Sequence, residues 1–205
     1  MTRRAYHHGN LRRALLDAAL DLFVERGAFD FTLRELARKA DVTHNAPYRH
    51  FTNKNDLLSA LRDEGFAELA KTCRDALAAT SNDLRARVRA LGEAYVRFAL
   101  AHPHHFRLML HHPVGDDPAT TERGEAFGLL SQALEEGRQA GVVRNDLSTR
   151  ELALGAWALV HGLASLLVEG HVPNDEARLK RTFKMLDKLF FEGFKAAEKG
   201  GASRD

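Results

Sequence analysis

The stretch VTHNAPYRHF, residues 42–51, gathers Thr43, His44, Asn45, Tyr48, Arg49 and His50 within eight positions. Their hydroxyl, imidazole, amide, phenol and guanidinium groups are all hydrogen-bond donors. Nowhere does the chain carry a nucleophile elbow, a phosphate-binding glycine loop, or paired carboxylates beside a histidine in a recognisable frame. The chemistry on offer is recognition by hydrogen bonding and charge, and no residue is assigned a catalytic role or a cofactor.

A second run, HPHHFRLMLHH, holds His102, His104, His105, His111 and His112 in eleven residues. Metal ligation favours histidines four apart on one helix face, joined by Cys or carboxylate. Here His105 and His112, like His104 and His111, lie seven apart, and the run contains no Cys, Asp or Glu. Solvated histidines around a capping His102 are the favoured reading, with a metal-responsive segment 102–112 kept as the alternative. Cys73 is the only cysteine, so an intramolecular disulfide is impossible, and a buried small apolar role is expected.

The elements that must position these groups are helices. Ala, Leu, Glu, Lys and Arg dominate the 205 residues, and only five are proline. A first helix capped by Asn10 carries an apolar stripe of Leu11, Leu15, Ala18, Ala19, Leu22 and Phe23, and Gly27 supplies a left-handed stop. A second opens at Thr32, where TLRE is a capping box closed by Glu35. The turn ADV leads to a third helix, expected from an N-cap at Thr43 to about Phe51. That register makes Pro47 the fourth helical residue, where a missing N–H costs little and the ring stiffens the first turns. Two short helices joined by a tight turn are a helix-turn-helix signature, and the start of its second helix meets base edges in the major groove.

A long fourth helix begins with TNKNDLLSAL, capped by Thr52 or Asn53. Further helices are expected over about 82–101, 103–110, 121–140, 149–168 and 175–198. The loop HHPVGDDPAT breaks the second half, and GGASRD forms a frayed tail.

Charge follows the same division. The whole chain carries +2, yet residues 1–60 hold ten Lys/Arg against seven Asp/Glu, an excess of three. Four histidines join that basic excess, which is the footprint of a nucleic-acid partner. Arg3 and Arg4 lie in an arm suited to charge-only contacts. No apolar leader follows the N-terminal arginines, and the uncharged run from Leu152 to Val168 falls short of the ~20 residues of a span. That run reads as a helix buried on all sides, and the cytoplasm as the expected compartment.

FTLRELARKADVTHNAPYRHFTNKNDLL resembles the DNA-binding domain of the TetR/AcrR family of bacterial regulators. The Thr opening helix two, the ELA core, the Tyr and Phe around helix three and the Lys opening helix four carry the likeness across residues 10–60. YHHGNLR and APYRHF are similar to one subgroup, and YVRFALAHPHHFRLML with WALVHG resembles its C-terminal domain, named for Trp and His-Gly, here Trp157, His161 and Gly162. Asp41 stands where the family usually has glycine, which implies some strain. The resemblance implies an all-α fold: a helix-turn-helix domain over 9–69 and a ligand-binding and dimerisation bundle over 70–199. It implies Thr32, Tyr48, His50 and Lys54 as backbone or phosphate contacts, and Thr43, His44, Asn45 and Arg49 as base readers. A homodimeric regulator follows, most often a repressor released from a pseudo-palindromic operator by an apolar or amphipathic effector.

The C-terminal residues admit two uses. Phe98, Phe106, Met109, Phe127, Leu130 and Trp157 are either plain core or the lining of an effector pocket, toward which the resemblance points. His161 is either a hydrogen-bonded core histidine or a ligand contact. Leu152, Ala156, Leu159, Leu163 and Leu166 form one seam of the 149–168 helix, and Leu179, Phe183, Leu186 and Phe190 form a heptad-like seam on the next. Two such helices can complete a four-helix bundle with a two-fold mate, which makes Phe183 an expected interface residue.

Overall fold

A computed structural model describes residues 11–111 and 122–194. Among them are eight α-helices: α1 (Leu11–Arg26), α2 (Leu33–Lys39), α3 (Lys54–Ala78), α4 (Leu84–Ala101), α5 (Pro103–His111), α6 (Glu122–Gln139), α7 (Thr149–Val168) and α8 (Glu176–Phe194). One 3-10 turn, Pro47–Arg49, lies between α2 and α3. The expected Asn10 cap, the Arg3–Arg4 arm, the 112–120 loop and the GGASRD tail lie outside the described residues. The chain divides into two compact units, and the division falls inside α3 at Gly65 instead of near residue 69. Residues 104–111 belong with the first unit.

The first unit is built on α1, which buries Leu15, Leu16, Ala18, Ala19, Leu22 and Phe23 on one face. Leu36 of α2, Phe51, Leu57 and Leu61 of α3, and Leu108 of α5 complete the core. Each such side chain contributes roughly 1.5–3 kcal/mol by leaving water. Gly27 ends α1 at φ 70°, its N–H donating to the Phe23 carbonyl at 2.8 Å. Only a residue without Cβ takes that conformation at little cost. The Thr32 hydroxyl accepts from the Glu35 N–H, while the Thr32 N–H donates to Glu35 Oε2 at 2.8 Å, closing the capping box. Asp41, at φ 55°, is the one non-glycine residue in the left-handed region among those described.

The expected third α-helix is shorter and starts later. Thr43 caps nothing; its carbonyl accepts from the Ala46 N–H at 2.9 Å, so 43–46 is a turn. Pro47 then stands at the first helical position, not the fourth, and only Pro47–Arg49 are helical. A proline is well suited there, because its missing N–H is one that helices leave unbonded. Phe51 closes the turn with its N–H on the Pro47 carbonyl at 2.9 Å. The next helix is capped by Asn53, whose Oδ1 accepts from the Asp56 N–H at 3.0 Å.

In the second unit α7 packs against α4 and α6, and α8 against α4 and α7. Val88, Leu134, Leu152, Ala153, Ala156 and Phe190 form one core cluster, with Phe127 and Leu130 packed against it. A second capping box opens α7, where Ser148 Oγ accepts from the Glu151 N–H at 3.3 Å and the Ser148 N–H donates to Glu151 Oε2 at 2.8 Å. This helix is 20 residues long and, by length and composition, apolar enough to cross a membrane, so length does not decide against a span. It is not buried on all sides as expected. Leu152, Ala153, Ala156, Ala164 and Leu167 face inward, whereas Leu154, Trp157, Leu159 and Leu166 are exposed.

On α8 the expected interface seam turns inward too. Leu179, Phe183 and Phe190 are buried within the subunit, with Phe183 only 7% exposed. Met185 and Leu189 are the outward apolar residues, at 53% and 57%. The reason is the helical period: the face holding 179, 183, 186 and 190 is claimed by α4 and α7, which leaves the opposite face outside.

Candidate nucleic-acid interface and effector site

In the first unit, Ala46, Pro47 and Phe51 are buried and act as pegs for the short segment that carries the polar groups. Between and before them Thr43, His44, Asn45, Tyr48, Arg49 and His50 are all exposed. A buried proline at the first helical position thus fixes the direction in which six donors project.

The remaining two candidates are less free. Thr32 is exposed, but its hydroxyl is 2.9 Å from Glu35 Oε2 and already serves the cap. Arg26, and secondly the Thr32 backbone and hydroxyl, hold the Glu35 carboxyl down at about 2, so the box stays ionised. Lys54, half-buried at the first residue of α3, places Nζ 5.2 Å from the Phe31 ring centre. Arg12, on the exposed face of α1, places its guanidinium 5.5 Å from the Phe51 ring, beside this segment. Nothing in its local sequence marks it, since α1 carries neighbouring arginines.

The effector candidates separate. Phe127, Trp157 and His161 come together in the second unit: the Phe127 and Trp157 rings meet edge-on at 6.2 Å, and Trp157 and His161 lie 5.6 Å apart. Leu130 is half-buried on the adjoining core. Phe98 is buried, its ring centre 5.1 Å from that of His102 and tilted to it by 33°. Phe106 and Met109, both buried, belong to the first unit, where Met109 packs against Gly65.

The cluster has a member that the sequence did not reveal. The Tyr95 hydroxyl lies 2.8 Å from Nδ1 of His161. Burial pushes Tyr95 up to about 12, partly offset by a hydrogen bond from Trp157. An indole N–H can only donate, so the Tyr95 oxygen accepts from Trp157, and the same hydroxyl shares a second hydrogen bond with His161 Nδ1. Burial lowers the pKa of His161. Cys73, also buried, has its thiol raised to about 11 and is inert at neutral pH.

The described part of the histidine run is not a solvated patch, and His112 and the His111 side chain lie outside the described residues. His102, His104 and His105 are half-buried, and His104 meets the Phe23 ring edge-on at 5.3 Å. Among the described residues no three His, Cys, Asp or Glu side chains gather in a way that could hold a metal. A cavity of about 40 Å³ lies among α4, α7 and α8, and none of the candidate effector residues lines it.

A capped helix, a tight turn and a pegged second segment with outward donors define a helix-turn-helix DNA-binding transcriptional regulator. The chain belongs to the TetR family: residues 15–61 match the model for bacterial regulatory proteins of that family. Residues 88–188 match a tetracyclin repressor-like C-terminal domain. The HTH-type transcriptional regulator SrpR of Pseudomonas putida is 48% identical over 50 residues, which cover 24% of each protein. The chain thus matches only about a quarter of that relative's length. A solved structure of a protein of unknown function from Rhodococcus sp. RHA1 is 32% identical, with TM-score 0.78 over 94% of this chain and all of that one. A TetR family transcription regulator from Marinobacter aquaeolei VT8, 18% identical, shares the fold with TM-score 0.71 over 90% of this chain and 95% of its own.

Proposed function

We propose that the protein is a cytoplasmic, homodimeric repressor that leaves a pseudo-palindromic operator when a small apolar or amphipathic molecule binds its C-terminal unit, and that it is not an enzyme. The observation that carries the DNA half is the pegged segment: Thr43, His44, Asn45 and Arg49 project from a backbone held by buried Ala46, Pro47 and Phe51. Asn pairs bidentately with adenine and Arg with guanine, so these are the base readers. Thr32, Tyr48, His50 and Lys54 take the phosphates. A lysine at a helix N-terminus opposes the helix dipole, and a phosphate there relieves it.

Dimerisation is supported by the outward apolar residues Leu154, Leu159, Leu166, Met185 and Leu189 on two consecutive helices. Effector binding is supported by the aromatic cluster of Phe127, Trp157, Tyr95 and His161, with Trp157 39% exposed. Placement in the subgroup named for Trp and His-Gly rests on Trp157, His161 and Gly162. A ligand releases DNA only by its differential affinity for the two arrangements of the dimer.

Sequencing DNA fragments captured on the purified protein tests this reading. One inverted-repeat motif, enriched and lost on adding an effector, is the expected result. Capture without sequence preference would remove the operator, and an operator untouched by any apolar compound would remove the effector.

A further inference from the structure

Several cations of the first unit are neutralised by carboxylates: Arg13 pairs with Asp17 and Glu64, Arg26 with Glu35, and Lys39 with Glu25. Arg12 and Lys54 are held differently. Among the described residues neither has a carboxylate partner, and each lies over the ring of a buried phenylalanine. The Arg12 guanidinium is 5.5 Å from the centre of Phe51, and Lys54 Nζ is 5.2 Å from that of Phe31.

The difference matters to an anion. A carboxylate cancels the charge of the cation it orients, whereas an aromatic ring attracts the cation through its quadrupole and leaves the full charge in place. Contact with the ring also restricts the guanidinium beforehand, and its planar fork matches two phosphate oxygens. Arg12 is moreover the second residue of α1, where a positive charge opposes the helix dipole unless an anion stands nearby.

Position indicates which anion. Phe51 is 2% exposed and directly follows the exposed donors of residues 43–50, so its ring brings Arg12 of α1 beside them. Arg12 precedes residues 15–61, the stretch that matches the family model. We infer that Arg12 is a further phosphate contact, through which α1 joins the helix-turn-helix on the DNA backbone. It donates its N–H groups to a phosphate and adds affinity for every sequence alike. The inference rests on the reading of residues 43–50 as the DNA-facing segment.

Binding of the 205-residue protein to a duplex of random sequence, measured at several salt concentrations, tests it. Arg12→Met keeps an apolar contact for Phe51 and removes the charge. It should reduce the steepness of log affinity against log salt by about one, so that the affinity lost between about 50 and 200 mM salt shrinks about 3.5-fold. Melting temperature should stay the same, and Arg12→Lys should keep the original steepness. An unchanged steepness in Arg12→Met, its loss in Arg12→Lys as well, or weakening confined to one DNA sequence would each overturn the proposal and leave the DNA-binding reading intact. A protein that binds no duplex at any salt would overturn both. Should Arg12→Met not fold, the Arg12 Nε–H resonance of the unaltered protein decides: it must move on adding the duplex, and a resonance that stays put overturns the contact.

Discussion

The hydroxyl of Tyr95 on α4 and Nδ1 of His161 on α7 lie 2.8 Å apart, joining two helices whose residues are 66 positions apart in the chain. An imidazole among leucines needs a partner, and here the protein supplies one. Tyr95→Phe should therefore cost about 1–3 kcal/mol, the range for leaving a buried polar group unsatisfied. His161→Ala combined with it should cost less than the two single changes added together, by about 1 kcal/mol. Denaturant unfolding of the four proteins measures this coupling, and strict additivity would show that the bond does not matter. If His161 is structural in this way, its loss should lower thermal stability and weaken DNA binding and induction together.

Burial lowers the pKa of both His161 and His104, the latter also through Arg107. The folded state then binds fewer protons than the unfolded chain, whose imidazoles titrate near 6.5. Their contribution to stability is complete above that value and declines as pH falls through it toward the lower folded values. Melting temperature should drop between pH 7 and pH 5, and the drop should be smaller in the His161→Asn, His104→Asn double variant. A slope that does not change on losing both histidines would assign it to other groups.

Lys54→Ala should weaken binding to every DNA sequence and reduce the slope of log affinity against log salt by about one. Asn45→Ala should instead relax preference at one or two operator positions, costing about 1–3 kcal/mol there. Titrations at several salt concentrations, with operator and scrambled DNA, separate these outcomes. An unchanged slope in the first variant would place Lys54 off the phosphates.

Charge placed on α8 should act differently on its two faces. Leu189→Glu, at a residue 57% exposed, should give folded monomers that no longer hold the operator. Phe183→Glu, at a residue 7% exposed, should lower stability of the subunit itself. Sedimentation with circular dichroism distinguishes a folded monomer from an unfolded chain, and a Leu189→Glu dimer would take that face out of the interface.

Asp41 is exposed, so its φ of 55° can be tested without disturbing packing. Asp41→Val should destabilise by about 1–2 kcal/mol, since a branched Cβ fits the left-handed region worst. Asp41→Gly should be close to neutral, the relieved strain offsetting the added freedom of the unfolded chain. Equal melting temperatures for all three would show that the turn relaxes.

Local rules carried most of the fold. Thr32 with Glu35, Gly27 and the start of α7 were legible because capping, stop and period signals are written within a few neighbouring residues. The family, too, was readable, since its motif runs unbroken through residues 15–61. Tertiary packing decided the rest. Pro47 moved from fourth to first helical position because Ala46 and Pro47 are drawn into the core, which shortens the helix in front of them. Phe183 and Leu189 are both apolar residues of one amphipathic helix, and only the claim of α4 and α7 on one face determines which of them is left outside. Tyr95 and Asp187 carry no local mark at all: their meaning lies in a histidine 66 positions away and an arginine 102 positions away. A sequence states what each residue can bond to, and the packed helices determine which bonds are made.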